Sequence, residues 1–381
     1  MKFTEAQLCA ERDRRVALLE AIIEKNGLDA LLLTSTAQQT CSLAVKYVAN
    51  YAIPTRRAFI FMQRGEMPKL LVATAGQQYH ARQLSWLPED CILSGDMMAA
   101  VERLIGALGK ERPSIGTYET GEMPINVHER LKGLNAELTD ITADFIEARK
   151  NKSEYEIICT KEASRVAVDS FKWIVRNLEA GKTEEEMVGG AEGFIRANGG
   201  QDTLVLVRAK KPHTFIARAT DEPVNPDNVF VYSCEMAGMG GYWTQVIRPV
   251  FLRHGTQPEA LRVLNVVKEA EAAGVAKFRP GNRLCDVAIA IEEVVAKHGC
   301  SMGVWSGHGM GVDLGDAVDL GRSNEMEIVP NMVLTIHPSV VGDGDGLLYG
   351  NTWLSTEGEA ECLTPGFEDC WYLDELKKLV D

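Results

Sequence analysis

The sequence predicts a two-domain protein of mixed α and β structure: a smaller α/β domain over residues 1–150 and an α+β domain over 151–381. Three observations predict it. At 381 residues the chain is too long to bury around one hydrophobic core. The first 150 residues alternate short helical and extended patterns. The remainder runs helices, strands, helices and strands again, after a change of composition at 147–183.

In the first domain, residues 4–26 carry apolar positions at helical spacing and stop at Gly27. Residues 28–34 form an apolar run suited to a buried strand, and strands over 58–62 and 69–74 flank the turn 64–68. An amphipathic helix is predicted over 97–110 and a strand over Ser114–Tyr118. In the second domain a long helix is predicted over 153–178. Ser153 begins it, and Glu156, three residues on, completes a capping box. Gly181 closes it, and Thr183 with Glu186 opens the next helix in the same way. Strand patterns follow at 203–209, 228–238 and 240–252, then helices near 257–276 and 284–298 divided by the breaker 279–283, then strands at 332–341 and 348–358.

Composition narrows the function. With 45% hydrophobic and 25% charged residues the chain has enough apolar surface to fold, which excludes disorder. Forty basic against 54 acidic residues leave a net charge of −14, without the basic footprint that phosphate backbones and anionic membranes require. Nucleic acid and membrane are therefore not expected as partners. The nine cysteines are odd in number and lack a C-x-x-C pair, a pattern of reduced thiols in a cytoplasmic protein. The charged N-terminus does not read as a signal peptide, and no run approaches the length needed to span a bilayer.

Several segments in order carry a family resemblance. They are Arg149, Lys152, Ser153 and Glu156; Gly241, Tyr242 and Arg248; Arg279-Pro280-Gly281; the run from Ser306 to Gly311; and Pro330 through Pro338. In this order they resemble the creatinase/prolidase/methionine aminopeptidase family. The resemblance implies a C-terminal pita-bread domain behind a creatinase-type N-terminal domain. Metallopeptidases of this family hold two divalent ions through two Asp, one His and two Glu. Here the corresponding positions are Cys234, Gln245, His308, His337 and a residue near Gly350, so one ligand of five is kept. Two dications need carboxylate charge, and this set does not supply it. No metal or cofactor is therefore expected.

The metal-free branch, creatinase, is a homodimer that hydrolyses creatine with an imidazole as acid/base. Its catalytic His position aligns with Ile216, and His213 stands three residues earlier. The two glutamates that hold creatine's guanidinium align with Ile247 and His337, so creatine is not the expected substrate. Arg56 resembles an arginine that creatinase projects into its partner's site. The resemblance thus implies a metal-independent hydrolase, homodimeric, that cleaves a C–N or related C–heteroatom bond of a small polar metabolite.

The residues support that chemistry in their own right. His308 lies among glycines that free its imidazole, whose ordinary pKa suits proton transfer at neutral pH. His337 shares a strand face with Val333 and Thr335. The expected catalytic residues are His308, His337 and His213. The expected substrate contacts are Arg248 and Arg56 for a carboxylate, Tyr242, Trp243 and Trp305 as pocket walls, Asp313 near the histidine motif, and Cys234, which also reads as a buried apolar side chain. Two alternatives stand beside this reading. One is a binding protein that keeps the pocket without chemistry. The other is a peptidase-like enzyme with a single metal on His308, His337 and Cys234.

Overall fold

The computed structural model describes residues 3–37 and 43–380, so Cys41 lies outside the described residues. The chain divides into two compact units, Met1–Lys150 and Asn151–Asp381.

The first unit opens with α1 (Glu5–Lys25), begun by a capping box between Thr4 and Gln7. There follow β1 (Ala30–Thr36), α2 (Leu43–Ala49), β2 (Arg57–Gln63), β3 (Lys69–Val72), α3 (Ala75–Leu84), β4 (Ile92–Ser94), α4 (Met97–Ala107), β5 (Ser114–Thr117), α5 (Ile125–Lys132), β6 (Glu137–Asp140) and α6 (Thr142–Arg149). The six strands form one sheet in the order β4-β3-β2-β1-β5-β6. The central β1 runs antiparallel to β2 and parallel to β5. Its apolar run is buried on both faces, which is why it reads as continuous rather than alternating. The α2, α3, α5 and α6 helices had no clear sequence pattern. Each is short, and α2 is apolar at nearly every position, so it shows no helical period.

The second unit opens with α7 (Glu154–Asn177), whose capping box joins Ser153 and Glu156, and α8 (Glu184–Ala197), capped by Thr183 and Glu186. Three long strands follow in an antiparallel sheet, β7 (Asp202–Arg208), β8 (Val229–Ala237) and β9 (Trp243–Phe251). Then come α9 (Pro258–Lys277), α10 (Leu284–Lys297), β10 (Ser301–Met302), β11 (Gly307–Met310), β12 (Leu314–Asp319), β13 (Val333–Ile336), β14 (Ser339–Val341), β15 (Gly346–Leu348), β16 (Asn351–Leu354), β17 (Glu361–Cys362) and α11 (Leu373–Val380). The predicted strand over 332–341 is divided into β13 and β14, because Pro338 has no N–H to continue a ladder.

A core built from α7, α8, β7–β9 and α11 holds Phe171, Ile174, Tyr232, Cys234 and Val246. Each such side chain contributes roughly 1.5–3 kcal/mol of burial. The β7–β9 sheet is tied to β16 by the Ile247–Gly350 bridge and by the Gln245 backbone N–H, which donates to Thr352 Oγ1 at 2.9 Å. These bonds bring β9, β11, β13 and β16 to one place. Among the described residues no helix is long and apolar enough to cross a membrane, and the eight described cysteines are free thiols.

Candidate active site

The site is built where the β8–β9 hairpin meets β11 and the end of β13. Glu235 lies directly across from Gln245, and Cys234 across from Val246. Residues opposite one another share a face, so Ser233, Glu235, Gln245 and Ile247 face one way while Cys234 and Val246 face the α7–α8 core. Gln245 Nε2 donates to Ser233 Oγ at 3.3 Å, as that alternation requires. Counting eleven residues back from Gln245 lands on Cys234, but the residue that reaches the site is Glu235. This corrects the expectation for Cys234. It is a fully buried core thiol with its pKa pushed up to about 11, first of all by burial, and it neither touches a substrate nor ligates a metal from there.

His308 comes from β11. Gly307 makes its close approach possible: φ is +151°, and a Cβ there would overlap the Thr335 carbonyl oxygen. The His308 Nδ1 lies 3.0 Å from its neighbour's carbonyl, Gly309 O. A carbonyl only accepts, so Nδ1 carries the proton and Nε2 presents a lone pair. Nε2 stands 3.9 Å from Glu235 Oε2. The His337 ring lies 5.3 Å from the His308 ring, edge to face, and neither of its nitrogens has a partner among the described residues. Its backbone N–H donates to Ser306 O at 2.8 Å. Trp305 stands edge-on to His308 with ring centres 6.5 Å apart, and its indole is 58% exposed, so it forms an open rim.

Burial governs the charges. It pushes the Glu235 carboxyl up to about 8. It lowers His308, and it lowers His337 to about 3, with the neighbouring imidazole adding to the effect. At neutral pH the site therefore presents a carboxylic acid facing a neutral imidazole, with a second neutral imidazole beside it. This arrangement suits proton transfer in both directions.

Other expected site residues are placed elsewhere. His213 is fully buried rather than on a solvated loop. Asp345, in the β14–β15 turn, holds it twice, at its Nδ1 (2.7 Å) and its backbone N–H (3.1 Å). Arg248 points to the opposite face from Ile247. It donates to the carbonyls of Ile247, Gly350, Thr364 and Gly366 and to Asn351 Oδ1, so its fork is occupied internally rather than open to a substrate carboxylate. Tyr242 donates its hydroxyl to Glu156 Oε1 at 3.0 Å, fastening the hairpin to α7. Trp243 is enclosed in a core cluster with Met310 and Leu354. Neither aromatic is a pocket wall. Asp313 is buried and accepts the Leu314 backbone N–H, while Asp316 pairs with Lys152 at 2.6 Å. Arg56 belongs to the first unit, where it is exposed at a bend with φ +65°.

The five positions of the family's two-metal set can now be tested as Glu235, Gln245, His308, His337 and Gly350. Glu235 favours its neutral form, Gln245 is an amide, and a Cβ at Gly350 would overlap that of His337, so no carboxylate fits there. Among the described residues no group of three or more His, Cys, Asp or Glu side chains is placed to hold a metal ion. The donor set does not fit a pair of dications.

Comparison with known proteins agrees with this architecture. The chain is 27% identical over 248 residues to the uncharacterized peptidase YqhT of Bacillus subtilis, a match covering 62% of this chain and 66% of that one, just under two thirds of its length. It is 22% identical to an Xaa-Pro dipeptidase of Pyrococcus horikoshii, over 92% of this chain and 97% of the dipeptidase. Dipeptidase PepE of Mycobacterium ulcerans shares its fold, with a TM-score of 0.82 over 98% of this chain and all of that one, at 18% identity. Residues 15–150 match the creatinase/prolidase N-terminal domain and residues 158–357 match metallopeptidase family M24. By that match over more than half its length, the chain belongs to the M24 family of hydrolases and carries the creatinase/prolidase N-terminal domain.

Proposed function

We propose that this M24 member is a hydrolase that cleaves a C–N bond of a small polar substrate by proton transfer between Glu235 and His308, without the family's pair of metal ions. The observation that supports the reading is the facing of the buried Glu235 carboxyl and the His308 imidazole across 3.9 Å, where burial favours the neutral form of each. Water attacks the electrophilic carbon and gives a proton to His308 Nε2. Glu235 gives its proton to the departing nitrogen as the C–N bond breaks. Return of the proton from His308 to Glu235 restores both groups. His337, neutral under the same conditions, accepts a hydrogen bond from the substrate or water. The open Trp305 rim admits the substrate.

The peptidase relatives favour a second reading, a peptide-cleaving enzyme with a reduced, single-metal site. The match that spans nearly all of an Xaa-Pro dipeptidase supports it. One experiment separates the two. The full-length protein, dialysed against chelator, is offered Xaa-Pro dipeptides and small amidino and N-acyl compounds, with and without added Mn²⁺ or Zn²⁺. Turnover that survives chelation and falls in Glu235→Gln supports the metal-independent reading. Turnover that appears only with stoichiometric metal supports the single-ion peptidase.

A further inference from the structure

A cavity of about 500 Å³ lies between α9 and β16 on the face of the sheet turned away from His308. The register places it there. His308, Thr335 and Thr352 lie directly across from one another and share a face, whereas Asn351 and Trp353, either side of Thr352, point the other way. The cavity has the size of a small-molecule site. Its polar centre is Glu271 of α9, only 6% exposed.

Glu271 is held in one orientation. Asn351 Nδ2 and Trp353 Nε1 both donate to its Oε1, at 2.9 and 3.2 Å. Asn351 has no choice of flip, because Arg248, which can only donate, takes its Oδ1 at 2.7 Å. Both side-chain bonds thus end on one oxygen, Oε1, and the Asn351 backbone also hydrogen-bonds the carboxyl. Burial raises this carboxyl to about 7 despite the nearby Arg248 guanidinium. A buried carboxylate is costly unless a cation or strong donor meets it. Around it Ala272, Val275 and Ala276 of α9 and the Trp353 indole supply apolar wall, and Lys268, Arg279, Glu359 and Glu368 add charged groups of both signs to the lining.

We propose that this cavity binds a small primary ammonium ion, its charge on the buried Glu271 carboxylate and its alkyl body against Trp353 and the alanine-lined flank of α9. The proposal concerns a site separate from the Glu235–His308 pair and does not depend on the reaction assigned there.

Titration of the full-length protein with n-butylammonium, followed by saturation-transfer NMR and thermal shift, tests it. Saturable binding is expected, at least about ten-fold tighter than that of butan-1-ol, the neutral analogue. Glu271→Gln keeps an acceptor but removes the charge and should weaken binding about ten-fold or more. Ala276→Trp fills the cavity from its exposed lip, leaves Glu271 in place and should abolish binding. It also guards against a fold defect in the glutamine variant. Absence of saturable binding in the wild type, equal binding of butan-1-ol, or unchanged affinity in either folded variant would overturn the proposal.

Discussion

Neighbouring residues of β9, Gln245 and Arg248, look into two different worlds. On the helix side, the Arg248 guanidinium donates to four carbonyls and one side-chain amide and stacks over Tyr349 at 4.7 Å. On the other side, the Gln245 amide oxygen and both His337 nitrogens have no partner among the described residues. Both faces bury polar atoms, yet one satisfies nearly all of them and the other leaves several open. Buried polar groups are normally paired, so a cluster of unpaired ones marks a place shaped for something other than its own stability. The helix side holds the fold, and the open side is where the proposed chemistry is assigned.

The largest effect that would break this contrast is on turnover. Glu235→Gln or His308→Gln should lower kcat by about 10²- to 10⁴-fold with little change in melting temperature, as steady-state kinetics and calorimetry would show. Arg248→Met should do the reverse. It leaves several carbonyls unpaired and should cost about 3 kcal/mol or more of stability in a denaturant titration. Equal losses of activity and stability in both variants would erase the distinction.

The pH dependence sharpens it. The acid–base pair is competent when His308 is neutral and Glu235 is protonated. The rate should therefore fall on the acid side below the ordinary imidazole range and on the alkaline side through about 8, giving a bell in kcat/KM. Stability carries its own acid-side signature at His337. Its folded pKa, near 3, is depressed from 6.5, so the unfolded state takes the proton first and stability drops as pH falls through that window. His337→Gln should flatten this decline in a series of thermal melts. The smallest effect belongs to Tyr242→Phe, which removes the hydroxyl bond to Glu156 and should cost about 1 kcal/mol without altering kcat.

Much of the fold was legible because its signals are local. The capping boxes at Ser153 and Thr183, the breaker before α10 and the glycines around His308 each act within a few residues. The same holds for the juxtaposition of His308 and His337, which the ordered motifs implied. Glu235 was missed by one residue. Spacing pointed to Cys234, and only the observed pairing of Glu235 with Gln245 across the hairpin turns the carboxyl to the open face. A test of strand alternation back from Gln245, through the Gly240-Gly241 turn, would have been the signal. The burial of His213 and the internal pairing of Arg248 escaped the sequence for a different reason. Their partners, Asp345 and the carbonyls of residues 350–366, lie about a hundred residues downstream, where no local pattern announces them.

The central claim is that Glu235 faces His308 as an acid at neutral pH. The most direct measurement is the wild-type-minus-Glu235→Gln infrared difference spectrum of chelator-treated protein, titrated from acid to alkaline pH. The expected result is a protonated carboxyl band present at neutrality that disappears with a midpoint of about 8. A carboxylate band already complete well below neutrality would contradict the account.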